Sequence, residues 1–118
     1  MTQYLVAIHH PDDFEPHSEG EATQRDISRL NEEMNAGGVV VFVGGLAPVK
    51  EAVSVRRQGG GELLVTDGPY LETKEHIGGF WVLDVATQEE ALAWGRKAAL
   101  ACRAPVEVRA FNGRQRGS

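Results

Sequence analysis

The 118-residue chain is 42% hydrophobic and 25% charged, with a formal net charge of −5. This suits one domain with a real core and leaves too little charge for long disorder. The acidic balance, with a sequence pI of about 5.3, argues against a nucleic-acid partner, which usually leaves a basic footprint. A single cysteine, Cys102, excludes an intramolecular disulfide and a cysteine-built zinc site. The start "MTQYLVAIHH" has a short apolar run without a basic flank, too short for a signal peptide or a membrane span. The expectation is a cytoplasmic protein with no membrane contact.

The run "YLVAIH" (Tyr4 to His9) predicts a first strand, apolar on both faces. The Pro-, Asp- and His-rich stretch after it reads as a loop. Ser18 and Glu21 have the spacing of a capping box. The helix they introduce runs to about Ala36, with Ile27, Leu30 and Met34 on its buried face and Gly37 and Gly38 ending it. "VVVFV" (Val39 to Val43) predicts the next strand, and Gly44 and Gly45 predict its interruption by a bulge or a close approach. Val53 to Arg57 and Leu63 to Val65, joined through "QGGGE", form a hairpin. "HIGGFWVLDV" is a long strand, and Thr87 with Glu90 caps a second helix. The small residues Ala91, Gly95, Ala98 and Ala99, with Leu92, let that helix lie close to a sheet. Pro105 opens the last strand, "VEVRAF".

With the hairpin set aside, the order is βαββαβ. The fold class is therefore α+β, the ferredoxin-like split βαβ pattern with an inserted β-hairpin. One domain covers residues 1–111, and 112–118 is a short C-terminal tail. Such a sheet has helices on one face only. The strands at Val39–Val43 and Phe80–Val85 are apolar on both sides, so the free face needs a second cover. A second copy packed face to face would provide it, making a homodimer.

Chemistry concentrates in "TDGPYLETKE", Thr66 to Glu75. Asp67 before Gly-Pro either shapes its own turn or stands as a carboxylate at a cleft mouth, as base or cation ligand. Tyr70 either fills an edge of the core or stacks on a planar ligand. Glu72, Lys74 and Glu75 alternate in sign, either as solvated weak ion pairs or with Lys74 drawing an anionic ligand that Glu72 orients. His9 is the candidate proton carrier. Adjacent His9 and His10 point to opposite faces of a strand, and no helical His spacing exists, so no metal and no cofactor is expected. The tract Gly59–Gly61 has no Lys-Ser/Thr after it and predicts a hairpin tip rather than a phosphate loop. Cys102 reads as a small buried hydrophobe.

The stretch "VTDGPYLETKEHIGGFWVLDV", with "EEALAWGRKAA", "VEVRAF" and "AGGVVVFVGGLAP", resembles the YCII-related superfamily, in particular its DGPF-domain branch. Tyr70 stands where that motif has Phe, and Leu71 where it usually has Ala. The likeness extends over roughly residues 2–111. It implies a dimeric α/β-barrel of two ferredoxin-like subunits. For the YCII branch it also implies a His-Asp pair in a cleft; the local sequence of His17 departs from that pattern. Relatives of this architecture include isomerases, lyases and monooxygenases of small, often cyclic, compounds. The DGPF branch is often encoded beside extracytoplasmic-function sigma factors. Two functions follow. One is a small-molecule enzyme with acid-base chemistry by Asp67 and His9 and ligand contacts from Tyr70, Glu72 and Lys74. The other is a non-catalytic ligand-binding or regulatory module near a sigma factor or stress response. Convergence of Asp67 and His9 in one pocket would favour the enzyme.

Overall fold

The computed structural model describes residues 2–11, 14, 20–70 and 73–112. In chain order these form β1 (Thr2–Pro11), α1 (Glu21–Ala36), β2 (Val40–Gly45), β3 (Val53–Arg57), β4 (Leu63–Asp67), β5 (Glu75–Val85), α2 (Gln88–Cys102) and β6 (Val106–Ala110). Four strands make an antiparallel sheet in the order β2-β5-β1-β6, and β3 and β4 make a separate antiparallel pair. The non-adjacent β1 and β2, with β5 between them, agree with the expected ferredoxin-like α+β pattern and its inserted hairpin.

The core lies between this sheet and the two helices. Tyr4 and Val6 of β1 and Trp81, Leu83 and Val85 of β5 cluster with Leu30 and Met34 of α1 and with Ala91, Ala98 and Ala101 of α2. The period-two alternation of β5 thus buries one side chain in two. Gly95 has the predicted role: a Cβ there would stand 2.6 Å from Val108 Cγ2 of β6. Cys102 is buried in the same cluster. The Thr87 side chain accepts a hydrogen bond from the Glu90 backbone N–H at 3.1 Å, so the second capping motif is real.

The first capping motif does not coincide with the helix start. Helix α1 starts at Glu21, with Gly20 as N-cap and no side-chain cap bond; Ser18 lies outside the described residues. Glu21 is therefore a first-turn acid facing the positive end of the helix dipole, not the third residue of a capping box. The predicted stop holds. Gly38 has φ +69°, a conformation that favours glycine, and the Val39 N–H reaches back to the Met34 carbonyl at 3.3 Å.

Strand β2 departs from expectation in one way. Gly44 and Gly45 continue the strand, opposite Phe80 and Gly79, and the register irregularity falls earlier, between Val40 and Phe42. The predicted close approach is present: a Cβ on Gly79 would lie 2.9 Å from the Gly44 carbonyl oxygen. Strand β5 has its own irregularity. Ile8 pairs with Gly79, but His9 pairs with Ile77, so Gly78 is an extra, bulged residue.

Among the described residues, no helix covers the face of the sheet away from the core. Leu5, Ala7 and His9 alternate onto it and face Val82, Phe80 and Ile77 across the strand pair. Phe42 of the edge strand is 53% exposed there, its ring 5.8 Å from that of Phe80. The hairpin is more exposed still. Val53, Val55, Leu63 and Val65 share one of its faces, each more than half exposed. Strand β4 runs two residues beyond the predicted end, to Asp67, and the glycine tip turns through Gly60 and Gly61 at φ +85° and +86°.

Candidate functional site

The sheet ends where β1, β5 and the β2–β3 connection meet, and there the surface is concave. An open groove of about 640 Å³ is lined by His9, Tyr70, Thr73, His76 and Ile77 on one side and by the Leu46–Ala52 connection on the other. A smaller, more enclosed cavity of about 170 Å³ adjoins it. The two share Leu46 to Val49, His76 and Ile77.

Each polar side chain is placed by a local feature. His9 follows the point where β1 slips register, and its backbone N–H donates to the Pro105 carbonyl at 3.0 Å. Its Nε2 is 3.8 Å from Glu107 Oε1 of β6. Glu107 is the cross-strand partner of Ala7, so it shares the open face with His9. Thr73 donates from Oγ1 to the Glu75 carbonyl at 2.6 Å, and the same oxygen is 3.5 Å from His76 Nε2.

His10 points the other way, as neighbours on a strand do. Its ring is stacked on Phe14, with centroids 3.8 Å apart and planes 4° from parallel. The Cδ2 edge of the ring lies against the backbone of the bulge, where a Cβ on Gly78 would collide with His10 Cδ2. His10 lines the small cavity together with Phe14 and His76, and His76 is its direct cross-strand partner.

The predicted site residues separate. His9 and Tyr70 line the same groove. Asp67 does not join them: it ends β4 opposite Val53, exposed, and it lines neither concavity. The turn after it is held by other groups. Gly68, at φ +101°, donates its N–H to the Ala52 carbonyl, and Ser54 Oγ donates to the Gly68 carbonyl, both at 2.6 Å. Tyr70 is 60% exposed, with the Arg56 guanidinium 4.9 Å above its ring. Lys74 is exposed and outside the groove lining. Glu72 lies outside the described residues, as do His17 and residues 113–118. Among the described residues, no three His, Cys, Asp or Glu side chains are grouped to hold a metal ion. No helix among them is long and apolar enough to cross a membrane.

Sequence reasoning missed Glu107 and the close contact of His10 with Phe14 and Gly78. The alternation of "VEVRAF" puts Glu107 opposite the core-facing valines, but only the β1–β6 pairing brings it to His9. The pair Gly78-Gly79 was a visible signal of close approach, without naming what approaches.

A protein of Rhizobium meliloti (strain 1021), described only as uncharacterised, is 37% identical over 78 residues, which is 66% of this chain and 62% of that protein. The chain thus matches less than two thirds of that relative's length. The model of the YCII-related domain matches residues 1–111, a span that holds both sheets, both helices and the whole groove, and the chain belongs to the YCII-related family.

Proposed function

We propose that this chain acts on a small molecule by acid-base chemistry in the groove at the His9 end of the sheet, with His9 as proton carrier. The observation that supports it most is that His9 lines the groove while its Nε2 faces the Glu107 carboxylate at 3.8 Å. The separation is that of an ion-pair contact and not of a hydrogen bond, so a small movement of either side chain brings the carboxylate within reach to orient the imidazole. Glu107 is therefore the carboxylate nearest His9, where the sequence reading had expected Asp67 as base beside it. Tyr70 supplies an exposed aromatic wall on which a planar ligand stacks. The stretch from Asp67 to Glu75 supports a place in the DGPF branch.

A thermal-shift screen of small carboxylic acids and cyclic metabolites identifies a ligand first. His9→Gln and Glu107→Gln are then compared with the parent. The expected result is a loss of turnover of about 10²–10⁴-fold for His9→Gln, the usual worth of a general acid or base, with ligand affinity little changed. A second reading is favoured by the separation of Asp67 and Lys74 from the groove: a non-catalytic ligand-binding or regulatory module, in the setting of a sigma factor or stress response. A ligand that binds and is recovered unchanged, whatever stands at position 9, selects that module.

The same reading includes a homodimer. The uncovered apolar face around Phe42, Phe80 and Val82 supports it, because exposed patches of this kind mark interaction surfaces. Light scattering at about 10 µM, within the range where specific protein pairs associate, should give twice the 12.8 kDa chain mass. Phe42→Asp should move that mass toward one chain. A single-chain mass for the parent protein removes the dimer.

A further inference from the structure

We propose that the β3–β4 hairpin is a pairing arm, whose Val53, Val55, Leu63 and Val65 face packs against the same face of the hairpin in a second copy of the chain, tip over base. This contact is separate from the apolar sheet face around Phe42 and stands on other residues.

The hairpin is amphipathic in the wrong sense for a single chain. Cross-strand pairing groups Val53 with Asp67, Val55 with Val65 and Arg57 with Leu63 on one face. It groups Ser54 with Thr66 and Arg56 with Leu64 on the other. The second face makes contacts within the chain: Ser54 Oγ donates to the Gly68 carbonyl, and the Arg56 guanidinium lies over the Tyr70 ring. The first face leaves its four apolar side chains 58–66% exposed. Among the described residues, neither strand packs extensively on a helix or on the four-stranded sheet. A two-stranded ribbon is marginal by itself in water, and a contiguous exposed apolar patch marks an interaction surface.

The charges select the occupant. Arg57 bounds the apolar face at the tip and Asp67 bounds it at the base. Four strand residues separate them, about 13 Å at the usual rise, too far for a pair within one hairpin. Neither is in an ion pair with a described residue. A face with a cation at one end and an anion at the other is complementary to its own copy turned end for end. Two-fold packing in that sense brings each Arg57 toward the partner subunit's Asp67 and encloses the apolar side chains of both hairpins. Packing tip over tip would bring like charges together. The contact also bears on the groove, because Ala52, Pro69 and Tyr70 at the root of the same hairpin line it. Paired arms therefore hold one groove wall in place.

A dilution series of the full chain, followed by sedimentation, gives the constant for association and tests the arm by charge exchange. Arg57→Asp and Asp67→Arg should each weaken association by about tenfold or more, since each sets like charges against one another twice in the symmetric pair. The double variant restores opposite charges and should return to within about threefold of the parent. Only a contact between two hairpins gives that recovery, because the two side chains cannot meet in one chain. Val65→Asp, which places a carboxylate in the middle of the contact, should weaken association at least as much. All three positions are exposed in the single chain, so the variants keep its core. Hydrogen exchange is the second readout: β3 and β4 amides should exchange faster in Arg57→Asp than in the parent at the same concentration. The proposal is overturned if the single charge reversals leave association unchanged, or if the double variant is no better than either of them. Equal exchange rates in the hairpin overturn it too, as does a parent protein that stays a single chain. The sheet-face dimer is judged separately, by Phe42→Asp, and stands if that variant dissociates while the charge reversals do nothing.

Discussion

Trp81→Ala should lower the unfolding free energy by about 3–5 kcal/mol, the range for removing a large buried aromatic. Trp81 is 2% exposed and the largest of the fully or almost fully buried side chains. It sits at the middle of β5, the strand that joins β1 to β2, so the void would open where both central strand pairs meet. Its indole N–H donates to Asn31 Oδ1 of α1 at 2.8 Å, so the substitution also unpairs the helix from the sheet at that point. Urea denaturation at one fixed protein concentration measures it, because any association would add a concentration term. Trp81→Phe fills most of the volume and should lose far less. A loss for Trp81→Ala below about 1 kcal/mol, the level of an ordinary surface change, would mean that the core is centred elsewhere.

Gly79→Ala should cost about 1–3 kcal/mol, the usual penalty of overpacking. The new Cβ would meet the Gly44 carbonyl oxygen at 2.9 Å and Gly45 Cα at 3.2 Å. Both are backbone atoms of β2, so relief requires the edge strand to move. The gain from a stiffer unfolded chain, about 0.4–1 kcal/mol, offsets only part of this. Gly44→Ala is the internal control. Its Cβ would touch only the exposed Phe42 ring, at 3.0 Å, which can turn aside. Thermal unfolding should therefore separate the two variants clearly, with Gly79→Ala the lower. Equal midpoints would show that β2 yields freely and that the glycine pair is not a packing requirement.

The parts of this molecule legible in the sequence are those set by local physics. The 3.6-residue spacing of Ile27, Leu30 and Met34 marked the buried face of α1, and Leu30 and Met34 are buried. Thr87 and Glu90 marked the start of α2 because a cap needs only residues three apart. Ser18 and Glu21 show the same spacing, yet the helix begins at Glu21 itself, with Gly20 as its N-cap, because spacing alone does not say where the first turn begins. The site was harder. Its histidines were visible, but their partners depend on strand order and on one slipped register. Alternation alone groups His9 with His76. The bulge at Gly78 makes His10 the direct partner of His76, and the β1–β6 pairing brings Glu107 to His9. Asp67 was conspicuous because of its motif, yet the turn it begins is held by Gly68 and Ser54. A sequence motif can thus mark a loop shape without marking the reacting group.

The extra residue in β5 divides the strand into two stretches whose side-chain parity is set separately. From Gly79 onward, Trp81, Leu83 and Val85 answer to the helices. Before Gly78, the sides taken by His76 and Ile77 are set by the bulge and not by the core. Drawing Gly78 into the ladder instead would place Ile77 opposite His10 and exchange which groups each concavity sees, while every core contact beyond it kept its register. Such a seam lets descent with modification alter what the protein recognises by single-residue insertions and deletions, with the folding problem already solved on the other side of it.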